Sequence, residues 1–405
     1  MEDFYTGDRS QNYCMKCQKV DPNPVTKDGE LYCSKCDAIL RTRGVGLALS
    51  GGGYRAAVFH LGSLWRLNEL GWLKKLAEVT SVSGGSITAG YLGLRWKKLK
   101  FGEDGVATNF VEEVVNPLRE FCSHCIEVEG VFAGLAWPYR RKLFGKATLQ
   151  DLPNGRKDPI FTIYATSLQT GVSVRFSQHH VADYNLGEVK EPKIELAKAV
   201  AASSAFTLFM APVILNFKLS EWSDFKHKKK DQREIPGKEK MRQTMLLTDG
   251  GVYDNLGLER IWDRYSTVLV SDAGAPFSTK AGTFWRGLNR FSILKRADST
   301  ITEQTRRLRK RWAVADFKDK KARGTYWGIA TEIKDYELEK EKLPPPLLKD
   351  SDETKKLSEL PTRLRGLGEK NQEQLINWSY ALADAAMRRW VLEPGAKPGR
   401  LPYPE

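Results

Sequence analysis

The chain has 405 residues, of which 41% are apolar and 28% charged, with a formal net charge of +14. This is the balance of a folded soluble protein with either one large core carrying insertions or two domains. No run of about twenty apolar residues is present to span a bilayer; the longest apolar stretch, residues 197–215, is interrupted by Lys198 and Pro212 and reads as buried structure. Residues 1–11 are polar and acidic rather than a secretory signal. The expectation is a cytoplasmic protein that meets membranes from the side. Its excess of basic residues would attract anionic partners, either phospholipid head groups or nucleic acid.

The first module carries Cys14, Cys17, Cys33 and Cys36, two C-x2-C pairs separated by fifteen residues. Four thiolates at this spacing suit tetrahedral zinc, with a hairpin in the span between the pairs. The segment is too short for a core of its own, so a metal would hold it together. Disulfides are the alternative, and the missing secretion signal argues against them. The expected ribbon-like module covers residues 1–42, and its zinc would be structural.

Residues 44–93 read as two strand–loop–helix units in tandem. The first loop is Gly51, Gly52 and Gly53, followed by Tyr54 and Arg55. Consecutive glycines can turn their amides toward one point, and the helix behind them adds positive potential. No Gly-Lys-Ser/Thr follows, which argues against a nucleotide P-loop. The second loop centres on Ser83, in the series Ser81-Val82-Ser83-Gly84-Gly85. A serine at a sharp strand-to-helix turn exposes its hydroxyl, and small neighbours relieve the crowding there. Flanking helices place Leu61, Leu64 and Trp65, then Ile87, Tyr91 and Leu94, at helical spacing for packing.

Residues 99–158 read as mixed helix and loop. Within them Cys122 and Cys125 have metal-like spacing but no second pair, and read as buried thiols in an amphipathic helical region, with a redox or secondary metal site as the alternative. Strands are expected at 160–166 and 172–176, and the neighbouring His179 and His180 read as surface or turn residues. A basic insertion at 218–242 places Trp222 and Phe225 beside Lys226, His227, Lys228, Lys229 and Lys230. That mixture suits an anionic membrane interface or a solvated loop.

A short apolar strand then ends at Asp249, followed by Gly250 and Gly251. A carboxylate there can reach a neighbouring loop. A buried strand is expected at 265–272. A basic helix carries Arg306, Arg307, Arg309, Lys310 and Arg311 before Trp312. Residues 343–359 are proline-rich and then charged, and read as an exposed linker or loop. A final helix at 371–391 places Leu375, Trp378, Leu382 and Ala386 on one face. No internal repeat is found.

The three loops together resemble the patatin-like phospholipase family, over roughly residues 44–390. That family carries a Gly-Gly-Gly-x-Arg/Lys oxyanion loop, a G-x-S-x-G elbow and a D-G-G/A segment. Further similarity lies in residues 165–171 and 201–206, and in Pro361-Thr362-Arg363-Leu364 and residues 375–378. Two departures stand out: Ser81 replaces the first elbow glycine, and Ala56 stands where many members have glycine.

The resemblance implies an α/β, three-layer fold with a central, mostly parallel sheet between helices, over residues 43–395. It implies a Ser–Asp dyad without histidine, with Ser83 as nucleophile and Asp249 as base. Gly51, Gly52, Gly53 and Arg55 would form the oxyanion loop, and no cofactor would be needed for catalysis. The expected activity is hydrolysis of phospholipid acyl esters at a membrane surface, as in regulated bacterial effectors that degrade membranes. A lysophospholipid or neutral-lipid esterase is the nearest alternative. A zinc-ribbon binding protein with an inactive patatin-like domain is the other. A regulatory protein, a nucleotide activator or nucleic acid are further partners that the ribbon and basic inserts leave open.

Overall fold

The structure, a computed structural model, describes residues 12–14, 17, 19–27, 30–36, 40–206, 210, 212–225, 235–277 and 290–404. Strands β1 (Asn12–Cys14), β2 (Lys19–Val20), β3 (Val25–Lys27) and β4 (Glu30–Tyr32) form the first module. β5 (Leu40–Leu49) leads into α1 (Gly53–Glu69), and β6 (Leu76–Val82) into α2 (Gly84–Arg95). Three short helices follow: α3 (Asn116–Ser123), α4 (Glu127–Ala133) and α5 (Ala136–Tyr139). Then come β7 (Ile160–Ser167), β8 (Ser173–Phe176), β9 (His180–Asp183), β10 (Gly187–Lys190), α6 (Leu196–Ser204), β11 (Val213–Asn216) and β12 (Trp222–Ser223). α7 (Lys238–Gln243), β13 (Thr244–Asp249), α8 (Gly251–Asp254), β14 (Tyr265–Asp272), α9 (Arg290–Lys318), β15 (Arg323–Gly328), α10 (Asp352–Glu359) and α11 (Glu369–Trp390) complete the chain.

Five strands form a parallel centre in the order β15, β14, β5, β6, β7. Residues on both faces of these strands are buried, because helices cover both sides. Leu47 and Leu49 of β5 point into one apolar cluster and Ala48 into the other. Leu269 of β14 joins the first cluster, and Val268 and Val270 join the second. α1 and α11 pack together over the first face, with α2 beside α1. The second face is covered by the segment carrying Leu258, Ile261 and Trp262 and by Ala313 of α9. The arrangement is three-layered and mixed α/β; antiparallel strands β8, β9, β10 and β12 extend its parallel centre beyond β7, and β1 and β2 add to the first residues of β5.

One detail of register governs the rest. β6 runs parallel to β7 and places Val82 opposite Tyr164. β13 runs antiparallel to β7 and places Asp249 opposite Ala165. β8 occupies the other edge of β7 over residues 163–166. β6 and β13 therefore lie end to end on one edge of β7, and their last residues meet at consecutive positions. The ends of β5 and β14 fall in the same row, with Leu49 opposite Ser81 and Ser271. Sites in α/β sheets form outside such a row of strand ends.

Several expectations are refined. β5 runs unbroken across residue 42, pairing with β1 at its start and with β6 and β14 further on, so the cysteine-bearing module and the main sheet share one strand. Residues 343–359 are not a linker throughout. Ser351 caps α10 in a capping box with Thr354, and Leu357 is buried beneath it. Trp222 does not face an interface either. β12 adds it to the sheet edge, where it is buried and its indole donates to the Arg242 carbonyl at 2.9 Å. The basic run from Lys226 to Lys230 lies outside the described residues. Cys122 is buried as expected, but Cys125 is exposed, because α3 ends at Ser123 and the chain turns out toward solvent.

Candidate active site

Ser83 sits between the last residue of β6 and the first of α2, with φ 51° and ψ −119°. A non-glycine residue at such angles stores roughly 1–3 kcal/mol and needs its surroundings to hold it. The hold is a chain of hydroxyls. The Ser83 amide donates to Ser203 Oγ at 2.9 Å. Ser203 Oγ lies 2.8 Å from Ser86 Oγ, which donates to Ser81 Oγ at 3.0 Å. Ser81 in turn donates to the Thr162 carbonyl at 3.4 Å. The serine that replaces the first elbow glycine thus has both a donor and an acceptor role in a buried network.

The glycine loop presses directly on this turn. A Cβ on Gly84 would stand 2.0 Å from the Gly53 carbonyl oxygen, so only glycine lets the two loops touch. Gly51 is crowded by side chains, since a Cβ there would stand 2.3 Å from Asn255 Oδ1 and 3.1 Å from the Ser83 Cβ. The Gly51 amide donates to the Asn255 carbonyl at 3.1 Å. The Gly52 and Gly53 amides have no backbone carbonyl partner among the described residues.

Arg55 braces this loop. Its Nε and Nη2 donate to the Ala273 carbonyl at 3.1 and 2.9 Å, and Nη1 donates to the Leu360 carbonyl. Burial pushes its guanidinium down to about 10, with the Arg306 charge adding to the effect. Its donors are committed to backbone carbonyls, a bracing geometry.

Asp249 ends β13. Its amide donates to the Ala205 carbonyl at 2.9 Å, and its Oδ1 accepts the Gly251 amide at 2.7 Å. The neighbouring Gly250 amide donates to the Ser203 carbonyl at 3.1 Å. The end of α6 therefore holds both the serine turn and the aspartate turn.

Ser83, Asp249, Gly51, Gly52, Gly53 and Arg55 all line one cavity of about 710 Å³. Ser83 and Asp249 are only 8% and 6% exposed. One part of the lining is apolar, with Val128, Val131, Phe206, Met210, Val252 and Leu364. Another is polar and charged, with Arg296, Thr302, Arg306 and Arg363 beside Glu127 and Glu303. Arg306 donates to Asp272 Oδ2 at 2.6 Å and to the Ala275 carbonyl at 3.1 Å. Burial alone would raise Asp272, but Arg306, the Tyr326 hydroxyl and the Gly274 amide outweigh it and hold the carboxyl below its usual range.

Among the described residues, no histidine lines the cavity. His60 lies behind the glycine loop, fully buried, with Nε2 2.9 Å from the Ser50 carbonyl and Nδ1 2.8 Å from Ser271 Oγ. Burial pushes its imidazole down to about 4. The Ser50 carbonyl can only accept, so the neutral ring carries its proton on Nε2. His179 is exposed, while His180 is partly buried and pushed down to about 3 by burial and nearby arginines.

In the first module the sulfurs of Cys14, Cys17, Cys33 and Cys36 lie within 4.8 Å of one another. Cys17 and Cys36 are 3.3 Å apart, Cys14 and Cys36 3.4 Å, and Cys17 and Cys33 3.9 Å. The Cys17 amide points at Cys14 Sγ at 3.3 Å. Zinc–sulfur bonds of about 2.3 Å in a tetrahedron need sulfur edges of about 3.8 Å, so the donor set fits a metal such as zinc. The β3–β4 hairpin fills the span between the pairs, as expected. Cys122 and Cys125 take no part in the cluster.

Sequence reasoning did not assign a role to Ser203, Ala205 or Asn255. Residues 201–206 carry a recognisable pattern, but nothing local says that Ser203 grips a turn far away in sequence. Asn255 lies just past the Asp249 turn, and only its contacts with Gly51 reveal its part.

Residues 47–262, more than half of the chain, match the patatin-like phospholipase family. The chain belongs to that family, a family of lipid ester hydrolases. A comparison with curated protein sequences found no significant match. Among solved structures, it is similar to human GIVD cytosolic phospholipase A2, with 14% identity and a TM-score of 0.43, over 84% of this chain and 58% of that one. It is also similar to VipD from Legionella pneumophila, with 14% identity and a TM-score of 0.35, over 93% of this chain and 70% of that one. ExoU from Pseudomonas aeruginosa, solved with SpcU, is similar at 14% identity and a TM-score of 0.25, over 88% of this chain and 76% of that one. The chain thus spans little more than half the length of the human enzyme it matches.

Proposed function

We propose that this protein is a serine lipid acyl hydrolase that cleaves carboxylic ester bonds of membrane phospholipids. The observation that carries the reading is the register on β7. It sets the residue before Ser83 and the residue Asp249 at adjacent positions, above one amphiphilic cavity. Ser83 Oγ attacks the ester carbonyl while Asp249 takes its proton. The Gly52 and Gly53 amides, with the α1 N-terminus behind them, stabilise the oxyanion. Asp249 then protonates the departing alcohol, and later takes a proton from the attacking water and returns it to Ser83 Oγ as the acyl bond breaks and the fatty acid leaves. The apolar lining receives the acyl chain, and Arg363, exposed at the cavity wall, faces the phosphate. A metal in the cysteine cluster serves structure and takes no part in this chemistry.

The test is fatty-acid release from phospholipid vesicles by the protein beside its Ser83→Ala and Asp249→Asn variants. Release by the parent, lost by at least about 1,000-fold in both variants, is the expected result. Release that survives Ser83→Ala would sink the assignment. Parallel assays on lysophospholipid and triacylglycerol separate the phospholipase reading from the neighbouring esterase readings. Turnover of a triglyceride emulsion in preference to phospholipid would favour the latter. No helix of the described residues is long and apolar enough to cross a membrane.

A further inference from the structure

The rim of the cavity bears an unusual group of exposed apolar side chains. Val128 is 63% exposed, Val131 50%, Phe132 87% and Trp137 44%. The first three sit at helical positions i, i+3 and i+4 of α4, so they share one face. Val128 and Val131 also line the cavity, so this face is continuous with the candidate active site. The inner side of the same segment is already anchored. Ile126, Gly130 and Leu135 are buried, and a Cβ on Gly130 would stand 2.5 Å from Leu135. The helix therefore has no second way to hide its outer face.

Cations flank this lip. Ile126 donates its amide to the Leu364 carbonyl at 3.0 Å, and Leu364 donates to Glu127 Oε1 at 2.9 Å. That pairing fixes Arg363 and Arg365 beside the start of α4, both exposed. Arg141 lies 5.1 Å from the Trp137 ring centre. Among the described residues, none of these three arginines is in an ion pair. The other cations of the segment are neutralised: Arg140 pairs with Glu195 and Lys142 with Glu129.

We propose that this lip is the surface by which the protein docks on an anionic lipid bilayer. The inference rests on the hydrolase reading for its purpose but not for its test. Phe132, Val128 and Val131 enter the boundary between head groups and acyl chains, Trp137 sits at head-group level, and the arginines face lipid phosphates. A lipid withdrawn from the bilayer then passes along Val128 and Val131 into the cavity. A docking protein would present an apolar helix with its own carboxylates to match the arginines. A bilayer supplies both chemistries without a defined partner, and the net charge of +14 acts in the same direction.

The experiment uses the Ser83→Ala protein, so that binding is read without hydrolysis. It is sedimented with vesicles of phosphatidylcholine, alone and mixed with phosphatidylglycerol. Binding is expected to be stronger on the mixed vesicles and to weaken with salt. Phe132→Asp should cut the partition coefficient by about tenfold or more. Arg365→Gln should weaken binding on the anionic vesicles alone. Phe132 and Trp137 lie outside the cavity lining, so Phe132→Asp in the Ser83 protein should still turn over a short, soluble ester and keep its melting temperature. Vesicle binding untouched by Phe132→Asp would overturn the proposal. So would a dimer in solution that Phe132→Asp dissolves without any vesicle binding, which would assign the face to a second copy of the chain. Loss of soluble-ester turnover in the Ser83 parent would strike the hydrolase reading alone, since the vesicle measurement does not depend on it.

Discussion

Ser203 accepts the amide hydrogen of Ser83 on its hydroxyl at 2.9 Å, and its own carbonyl accepts the amide of Gly250, the residue after Asp249, at 3.1 Å. One residue at the end of α6 thus sets the spacing of the two turns that carry the candidate dyad. Replacing it by alanine leaves a buried amide unpaired, at a cost of about 1–3 kcal/mol. Ser203→Ala should therefore lower stability by that amount in urea unfolding. It should also lower kcat on a soluble ester by roughly 10- to 100-fold, because small displacements at a reacting centre cost about that much. Full activity in a destabilised variant would mean that Ser203 supports the fold without positioning Ser83.

The contact between the two loops makes a second case. A methyl group on Gly84 meets the Gly53 carbonyl at 2.0 Å, and backbone cannot yield as a long side chain would. Gly84→Ala should fold, because both loops end in intact helices, but with the glycine loop pushed off the serine turn. Ester turnover should fall on the order of 100-fold, while a fluorophosphonate probe still labels Ser83 slowly. Turnover within a few-fold of the parent would show that the loop has another way to close.

His60 gives a pH signature. Its pKa is about 4 in the folded chain, against 6.5 as the reference value for an unburied ring. The unfolded state therefore binds the extra proton first as pH falls. The stabilisation is complete above about 6.5 and is lost between there and about 4. The full difference is on the order of 3 kcal/mol. Thermal midpoints should drop between pH 7 and pH 5, and His60→Gln should flatten that slope while lowering the midpoint at pH 7. An unchanged slope would assign the acid sensitivity to other groups.

The cysteine cluster should hold about one zinc per chain, measured by mass spectrometry of the purified protein, and Cys33→Ser should release it. Since β1 pairs with residues 40–42 of β5, hydrogen exchange should rise there first. Residues 45–49 of β5 are held by β6 and β14 and should stay protected. Ester turnover should then remain within a few-fold. A loss of turnover in step with zinc would make the metal part of the active-site scaffold.

Much of this was legible in local sequence. The glycines at 51–53, the Ser83 turn, the thiol pairs and the terminal helix each announce themselves through short-range constraints of backbone or spacing. The expected strand at 265–272 is β14, and the expected helix at 371–391 is α11 to within two residues. Exposure was harder to read. Trp222 and Cys125 changed places with their expected environments, because an edge strand and a helix end decide exposure through partners distant in the chain.

The amino-acid sequence by itself determined which residues can do chemistry: a strained serine, a carboxylate at a strand end, amides without side chains in the way and four clustered sulfurs. It did so because turn geometry and metal coordination depend on neighbours within a few residues. The family resemblance paired Ser83 with Asp249, but only the tertiary structure shows how the two come to line one cavity. Their meeting depends on β6 and β13 sharing an edge of β7 in a particular register, and strand register is fixed by packing across the whole sheet. The same long-range packing committed Arg55 to the Ala273 and Leu360 carbonyls, and turned Val128, Val131 and Phe132 outward at the rim.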